Sequence, residues 1–523
     1  MWIVLGEDKG RVKLVSKSGI TGLLPKGSFL TIEEGDTKFI IRVDDSTQTE
    51  AYSPAPMLAD MDLSPIKQDQ KCQNIVYAFR VCDITTRTDG LIDFIKPQFI
   101  ARRSTQSEID YALKTDLEGP RVFLATVHQA KNQLLCDEEG KPIQTRIPND
   151  AFFHQMMICG KTGSGKTVAT KYLSQYFVEE YPSYGAVLAI NVKDVDFLRM
   201  DQPTVTVHKE VKYEWDSLNV DPHGIKNYTI YYPANLEFDV GLGVNYDNCK
   251  KITLNVSTIE PEALSGILQG ITDIGAQHLP DVFRYWRDVR NRNNDDISFS
   301  DFFRHFLRGR AEKYEFPAVN SRGDEYYIKF PWGTFENIVR NIETAMVFFD
   351  NKDAETIDAK DILTRGKMSI INVAGKNGIQ FGSIILRHLL RNIVDLKSIG
   401  KSNVPILIII DEVHRFYDTS SSREALDLLD TICRTGRSQE IGVIFCSQNP
   451  QDIPRGLSSV INTKIFFKSD AIRAREYGIN ISPEEIQSLK KGYAICNIHD
   501  LSQVRVIKYP LSLAGVFEKG VYK

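Results

Sequence analysis

The feature that most constrains the fold of this chain is an eight-residue stretch at residues 160–167, which fits the pattern G-x-x-x-x-G-K-[ST]. An apolar run over residues 155–159 precedes it and predicts a buried strand, and apolar residues at helical spacing follow it over residues 168–177. Strand, glycine-rich loop and helix in this order are what a phosphate-binding loop requires, whereas a chance match occurs in about one or two per hundred chains of this length. The sequence therefore predicts an α/β nucleotide-binding core.

The predicted phosphate-binding loop supplies both backbone and side-chain groups to a nucleotide. Its glycines allow consecutive N–H groups to turn toward phosphate oxygens, and the helix that follows adds the positive end of its dipole. Lys166 is expected to reach the β- and γ-phosphates, and the hydroxyl of Thr167 is expected to hold Mg²⁺. The residues assigned to nucleotide binding are Gly160, Lys161, Thr162, Gly163, Ser164, Gly165, Lys166 and Thr167.

The bulk composition limits the classes of protein to which the chain can belong. Its 523 residues leave room for about two to four domains, and its formal net charge of −4 excludes a uniformly basic DNA-binding surface but not a local basic lining. The apolar run at residues 404–410 is too short to span a bilayer, and the first residues lack the basic flank of a signal peptide. The eight cysteines include no Cys-x-x-Cys pair, which favours reduced thiols in a cytoplasmic protein.

Short strand-like runs separated by turn signals fill residues 1–110, which predicts a small all-β barrel or sandwich. This segment carries no catalytic cluster, so two interpretations stay open: a cap that helps the core to fold, and a platform on which a partner docks. Residues 111–150 are predicted to be a connector with one hairpin, because apolar runs at 134–136 and 142–143 flank a polar turn.

From residue 151 onward the pattern changes to alternating strands and helices, interrupted by a long stretch of helical periodicity. The predicted segments are a first part of the α/β core at 151–257, a helical insertion at 258–365, a second part of the core at 366–508 and a C-terminal tail at 509–523. Helices of the insertion are predicted over residues 259–279, 282–292, 299–308 and 335–349.

The second strong motif is a continuous apolar run at residues 404–410 that ends in Asp411 and Glu412. Such a run predicts a central parallel strand buried on both faces, and the carboxyl end of such a strand is where doubly wound folds bind ligands. Asp411 is expected to bind Mg²⁺, directly or through water, and Glu412 to polarise the attacking water. The alternative is that the two carboxylates only end the strand at a turn, but a phosphate-binding loop in the same chain favours the catalytic interpretation.

Two further features surround a strand predicted at residues 442–446. Gln448 follows its end, where a side chain beside the carboxylate strand can contact the γ-phosphate and the attacking water; the alternative is a turn amide before Pro450. Arg434 and Arg437 close the helix that precedes the strand, and a guanidinium can stabilise the charge that develops during phosphoryl transfer. Arginine at a helix C-terminus is also favoured by the helix dipole alone, so both interpretations of this pair stay open.

Taken in order, these motifs resemble the HerA branch of the HerA–FtsK ATPases. The resemblance rests on the phosphate-binding loop, the helical insertion and three short motifs: Ile-Asp-Glu-Val-His at 410–414, Arg-Thr-Gly-Arg at 434–437 and Ser-Gln-Asn-Pro at 447–450. It extends over most of the chain, because the N-terminal part resembles the barrel domain of that family.

The resemblance implies a RecA-like P-loop ATPase core with a helical insertion and an N-terminal all-β barrel, assembled as a hexameric ring. It also implies ATP and Mg²⁺ as cofactors, ATP-driven translocation on double-stranded DNA, and a nuclease or other effector subunit docked on the barrel, in many bacteria as part of antiphage defence. The catalytic roles of the family are carried over to Lys166, Thr167, Asp411, Glu412 and Gln448, and less directly to Arg434 and Arg437.

One stretch departs from the family pattern. Many members carry Asp-Pro-x-Gly-Glu after the second core strand, whereas residues 191–196 here read Asn-Val-Lys-Asp-Val-Asp. Loss of the glycine and the glutamate puts DNA coupling through this loop in question, so two functions stay open: a motor that moves DNA through the ring, and a nucleotide-regulated scaffold that positions an effector enzyme. A third interpretation is an ATPase that acts on protein substrates. Lys376, in the loop 374–378, is a candidate DNA contact; the alternative is a solvated lysine in a turn.

Overall fold

The structure is a computed structural model, and it describes residues 2–16, 24–50, 72–85, 88–89, 94–113, 118–128, 131–137, 139–182, 184–193, 197–234, 243–262, 264, 271–293, 295, 297–374, 378–413, 429–453, 455–470, 473–479, 481–499 and 504–517. Three predicted features lie outside these ranges: Lys376, residues 194–196 of the loop that departs from the family pattern, and His414 with the first part of the helix that ends near Arg434.

The N-terminal region forms a closed antiparallel barrel. Its strands are β1 (Trp2–Asp8), β2 (Arg11–Ser16), β3 (Phe29–Glu34), β4 (Thr37–Glu50), β5 (Cys72–Asp83), β6 (Thr88–Asp89) and β7 (Ile100–Arg103). They pair in the order β2-β1-β7-β3-β4-β5, and β5 pairs back with β2, so these strands close a barrel and β6 lies outside it. Apolar side chains such as Val4, Leu14 and Ile41 are buried in the interior. The predicted all-β domain is confirmed, as a barrel rather than a sandwich.

The remaining described strands run from residue 121 to residue 508. They are β8 (Arg121–His128), β9 (Lys131–Leu134), β10 (Gln144–Arg146), β11 (Met156–Cys159), β12 (Ala186–Asn191), β13 (Asn227–Pro233), β14 (Cys249–Ile252), β15 (Glu315–Val319), β16 (Glu325–Lys329), β17 (Lys367–Asn372), β18 (Ile406–Ile410), β19 (Ile441–Ser447), β20 (Thr463–Phe467), β21 (Tyr493–Asn497) and β22 (Arg505–Lys508).

One large sheet organises the core. Its parallel part has the order β20-β11-β19-β18-β12-β17-β13-β14, and β21, β22, β8 and β10 extend it beyond β20 with antiparallel pairing. The strands nearest the centre are buried along their whole length, as β18 is, because helices cover both faces. This mixed sheet, with its parallel centre, confirms the predicted α/β core.

The strands β8 and β10 come from the segment that the sequence predicts to be a connector. A hairpin is present there, in which Ile143 N donates to Leu135 O at 2.8 Å. Because β8 pairs with β22 from the far end of the chain, we propose that residues 118–146 belong to the core rather than to a separate connector.

The described helices lie mainly against the large sheet and in the insertion. They are α1 (Gln106–Leu113), α2 (Lys166–Glu179), α3 (Lys209–Leu218), α4 (Asp273–Arg292), α5 (Phe299–Arg308), α6 (Trp332–Ala345), α7 (Ala359–Ile362), α8 (Gly378–Ser398), α9 (Arg455–Val460) and α10 (Pro483–Gln487), with a further helical segment at 429–435. Among these described helices, none combines the length and apolar content that crossing a bilayer requires.

The insertion differs in detail from its predicted helices. Residues 282–292 do not begin a new helix but continue α4, which contains Pro280 and is capped by Thr272 Oγ1 accepting from Gly275 N at 3.2 Å. The insertion also contains the antiparallel hairpin of β15 and β16, which the helical prediction missed. This hairpin packs on the helices through Phe316, whose ring lies 4.7 Å from that of Phe306 between centroids.

The last described residues are packed on the core, although the sequence predicts a tail from residue 509. Leu513 and Ala514 are buried, and the buried ammonium of Lys171 on α2 donates to Gly515 O at 2.7 Å. Residues 509–517 therefore hold the helix that follows the phosphate-binding loop, and we propose to count them with the core.

Candidate active site

Three adjacent parallel strands end at the predicted site. β19 lies between β11 and β18, with Cys159 opposite Ser447 and Ile410 opposite Phe445. The phosphate-binding loop, Gln448 and the pair Asp411–Glu412 therefore leave the same edge of the sheet from neighbouring strands. This carboxyl edge is where parallel α/β sheets bind ligands.

Backbone hydrogen bonds fix the phosphate-binding loop to the ends of β19 and β20 and to the residue before β21. Gly160 N donates to Ser447 O at 3.3 Å, Lys161 N donates to Lys468 O at 2.9 Å, and Gly492 N donates to Ser164 O at 2.9 Å. Gly165 has φ +117°, and a Cβ there would lie 3.0 Å from Gly492 N. Glycine is required at this position by both its backbone conformation and the close approach of another strand.

Lys166 begins α2 and lies over the loop. Its side chain is buried, and its ammonium donates to the carbonyl of Gly160 and, at 3.2 Å, to that of Lys161. The side chain of Lys161 points elsewhere, since its ammonium pairs with exposed Asp470 at 3.1 Å. Thr167 follows Lys166 and is half-buried. Lys166 is therefore the loop cation held where phosphates would bind.

Asp411 and Glu412 are buried directly after β18, with 7% and 8% of their surfaces exposed. Glu412 has φ +46°, a left-handed conformation that costs a non-glycine residue about 1–3 kcal/mol and is common at functional sites. Its N–H donates to Asp411 Oδ1 at 3.0 Å. The strained backbone at Glu412 thus fixes the orientation of two adjacent buried carboxylates.

The pKa of the Cys446 thiol responds to the charged groups of the site, because Cys446 is buried beneath it. Its thiol contacts Thr170 Oγ1 at 3.3 Å, and its pKa is raised, first by burial and then by the charge of Asp411, while Lys166 lowers it. The lysine of the loop and the carboxylate of β18 thus act on the same buried group. The sequence identified both residues from separate motifs, and the fold brings them into one neighbourhood.

The turn that carries Gln448 is held by a residue that sequence reasoning missed. Asp452 accepts hydrogen bonds from the Ser447 hydroxyl and, at 3.1 Å, from Asn449 N. Gln448 lies between these two donors and is half-buried. The signal in the sequence was a carboxylate three residues after Asn449, the spacing of a capping box.

Arg434 and Arg437 lie at the opposite edge of the sheet from the loop. Both precede β19, whose first residue, Ile441, is six residues and about 20 Å from Ser447 at the usual rise of a parallel strand. Arg434 is exposed and forms a two-point ion pair with Asp430, at 2.8 and 3.2 Å. The structure does not bring either arginine to the site of its own chain.

The chemistry of the donor set fits a nucleotide with Mg²⁺. Mg²⁺ prefers oxygen ligands and is usually held by one or two protein groups together with phosphate oxygens and water. Thr167 and Asp411 offer that incomplete set. Over the described ranges of the chain, no group of three or more His, Cys, Asp or Glu side chains could hold a metal ion by itself.

Comparison with known proteins gives one family match. Residues 350–490 match the family described as "Helicase HerA-like C-terminal". This segment contains Asp411, Glu412, Gln448 and both arginines. The phosphate-binding loop lies outside it.

Curated relatives carry the same name. The chain is 26% identical over 368 residues to the DNA double-strand break repair helicase HerA of Sulfurisphaera tokodaii, covering 67% of this chain and 63% of that protein. It is 30% identical over 98 residues to the HerA helicase of Pyrococcus furiosus, covering 17% of this chain and 18% of that protein. The chain thus spans less than two thirds of the length of these relatives.

Similar solved structures include VirB4 of Thermoanaerobacter pseudethanolicus, with a TM-score of 0.43 and 13% identity over 72% of this chain and 95% of that one. The bacterial conjugative coupling protein TrwB is also similar, with a TM-score of 0.43 and 14% identity over 79% of this chain and 93% of that one.

Proposed function

We propose that the chain is a P-loop NTPase related to the HerA helicases and that it hydrolyses ATP to move double-stranded DNA through a hexameric ring. The observation that carries the proposal is the convergence of three adjacent strand ends on one edge of the sheet. They supply a loop for phosphates, a carboxylate pair for Mg²⁺ and water, and a polar side chain between them.

In this proposal each residue of the site has one role. Lys166 transfers its hydrogen bonds from the loop carbonyls to the β- and γ-phosphates, which neutralises charge in the transition state. Thr167 and Asp411 hold Mg²⁺, and Mg²⁺ supplies further neutralisation of the phosphates when it is bound. Glu412 orients the attacking water, and Gln448 senses the γ-phosphate from the neighbouring strand.

The proposed ring follows from where the arginines lie. Both arginines precede β19 and the phosphate-binding loop adjoins its far end, about 20 Å along the strand, so we propose that an arginine of this pair acts in hydrolysis at the site of another subunit. Arg437 is exposed, and so is Arg434, although Asp430 already engages Arg434. We therefore propose that subunits pack with this edge of one sheet against the nucleotide site of the next, with Arg437 as the first candidate.

The proposed partner is a nuclease or other effector subunit that docks on the barrel, as in antiphage defence. For this chain itself we propose a cytoplasmic location, in keeping with the free thiols of all the cysteines whose side chains the structure describes. The barrel presents apolar side chains to solvent at Leu5, Phe94 and Ile100, which are 47%, 78% and 47% exposed. Exposed apolar groups of this kind favour a protein-binding surface.

The docking surface predicts a separable defect. Phe94→Ser should weaken co-purification of the effector by about thirtyfold or more, as expected for loss of a central apolar contact, and leave ATP hydrolysis unchanged. Tyr213→Ser is the matched control, because Tyr213 is 52% exposed on α3 of the core. Equal retention of the effector by both variants would remove this surface from the proposal.

A second function, a nucleotide-regulated scaffold with little translocation, is favoured by two observations. Residues 191–196 lack the glycine and glutamate that many family members have in this loop, and the net charge of −4 offers no excess of basic groups to DNA. An intact Glu412 favours hydrolysis in either case. Stimulation of ATP hydrolysis by DNA separates the motor from the scaffold, and stimulation by unfolded protein instead would indicate a protein substrate.

Glu412→Gln should separate binding from hydrolysis. The amide keeps the shape of the side chain but cannot polarise water, so ATP and Mg²⁺ should still bind while turnover falls by about 10²–10⁴-fold. Binding is measured with a fluorescent ATP analogue, and turnover by phosphate release. If the variant also fails to bind ATP, Glu412 is structural and its assigned role is wrong.

A further inference from the structure

A cavity of about 110 Å³ lies between the barrel and the large sheet. The residues that line it come from other parts of the sequence than the motifs of the nucleotide site. The barrel contributes Lys26, Arg42 and Asp44 to its lining, and the core contributes Val504 and Arg505. Three of these five side chains are cationic and one is anionic. Such an excess of positive charge inside a domain interface is unusual, because buried charges are normally paired.

Arg505 is the most buried of these cations, with 3% of its surface exposed. Its guanidinium donates to Leu113 O at 2.6 Å, to Thr145 Oγ1 at 2.9 Å and to Arg146 O at 3.3 Å. These acceptors are all neutral, and Nε of Arg505 is buried without a hydrogen-bond partner. The side chain thus keeps a donor and a full positive charge unsatisfied.

Arg42 faces the same cavity from β4 and donates to the carbonyl of Val504. The carboxylates nearby are matched by other cations: Asp44 pairs with Arg11 at 3.2 Å and with Lys26 at 3.8 Å. Lys26 also pairs with Glu485 at 3.4 Å. Among the described residues, neither Arg42 nor Arg505 forms an ion pair with a carboxylate within 4 Å. Asp44 acts on Arg42 only from a greater distance and is already paired with Arg11 and Lys26, so the two guanidinium charges are incompletely compensated.

We propose that this cavity binds a single phosphate-sized oxyanion between Arg42 and Arg505. The guanidinium of Arg42 can present N–H groups in a planar fork that suits the oxygens of a phosphate, and Arg505 offers its Nε–H, because its terminal N–H groups are engaged by three neutral acceptors. Charge-assisted bonds of this kind are about twice as strong as neutral ones. Because Arg42 belongs to the barrel and Arg505 to the core, the bound anion fastens the two domains together.

The titration behaviour of the two arginines agrees with the geometry. Burial lowers the pKa of Arg42, although the charge of Asp44 opposes this shift. Burial lowers the pKa of Arg505 to about 10, with a further lowering by the charge of Arg42 and an opposing effect of Cys496. Both shifts measure the cost of holding charged groups away from water. An anion between them removes part of that cost.

The test uses inorganic phosphate and the full chain with Lys166→Ala, which weakens phosphate binding at the nucleotide site. Equilibrium dialysis at constant ionic strength should find one phosphate per chain, and phosphate should raise the melting temperature. Adding Arg42→Gln should weaken phosphate binding at least tenfold and abolish the thermal shift. Arg505→Lys should weaken it too, although this change also disturbs three structural hydrogen bonds.

The matched control is Lys13→Gln in the same Lys166→Ala chain, since it removes an equal charge from β2 of the barrel, outside the lining of the cavity. It should leave phosphate binding unchanged. Two results would overturn the proposal: no phosphate bound to the Lys166→Ala chain, or phosphate bound equally well after Arg42→Gln. AMP, which is too large for 110 Å³, should not compete. Competition that depends on Arg42 would retain the phosphate site and extend it to phosphate monoesters.

Discussion

Lys166→Ala is expected to abolish ATP hydrolysis, with turnover reduced by at least about 10²–10³-fold. The buried ammonium of Lys166 is the loop cation directed over the phosphate-binding loop, where it already donates to two backbone carbonyls. Removing it leaves the charge of the transferring phosphoryl group without its nearest counter-charge. Phosphate release under saturating Mg·ATP measures the effect, and a fluorescent ATP analogue should show weaker binding as well.

Lys161→Ala provides the matched control for this prediction. Lys161 is a lysine of the same loop, but its ammonium pairs with Asp470 at the surface. We expect its removal to leave most of the activity, because a solvent-exposed ion pair contributes little. Wild-type turnover in Lys166→Ala would contradict the assignment, and so would an equal loss in both variants.

Arg437→Ala is expected to give a chain that assembles and binds ATP but is nearly inactive, because an arginine supplied to the phosphates can be worth about 10³–10⁵ in rate. The geometry excludes action at the site of its own chain, since Arg437 precedes the first residue of β19 and the loop adjoins the last. The effect must therefore pass through the neighbouring subunit. If Arg437→Ala is active, Arg434→Ala is the next variant to measure.

Rings mixed from two variants test directly whether Arg437 acts at the site of the neighbouring subunit. When Arg437→Ala chains are mixed with Glu412→Gln chains, some interfaces pair an intact Glu412 with an intact Arg437 from the neighbour, so activity should return in part. Each variant alone should stay inactive. Rings that exchange subunits and remain inactive at every mixing ratio would show that the arginine does not act between subunits.

The sequence predicted those parts of the fold that depend on local patterns, such as apolar runs and motif spacing. The run of isoleucines at residues 406–410 could only be a central strand, and the spacing around residues 160–167 determined a loop between a strand and a helix. The site lies where those strands end, and this position follows from the carboxyl-edge rule for parallel strands. Asp411, Gln448 and the loop could be expected to meet for that reason.

The parts that the sequence missed depend on contacts between distant segments. β8 joins the large sheet by pairing with β22, nearly 400 residues away, and no local pattern records such a partner. The same holds for Arg42 and Arg505, which are ordinary charged residues in sequence and share a cavity only after the barrel is placed on the core. Arg437 and Gln448 are separated by the length of β19, which places them at opposite ends of that strand.

The central claim is that ATP hydrolysis is coupled to DNA. The direct test measures phosphate release by the wild-type chain at saturating Mg·ATP, without DNA and with linear double-stranded DNA of increasing length at equal nucleotide concentration. Glu412→Gln controls for contaminating ATPases. The proposed motor predicts that double-stranded DNA stimulates turnover several-fold and that longer duplexes stimulate it more. Turnover that is the same with and without DNA would contradict the motor and leave the nucleotide-regulated scaffold.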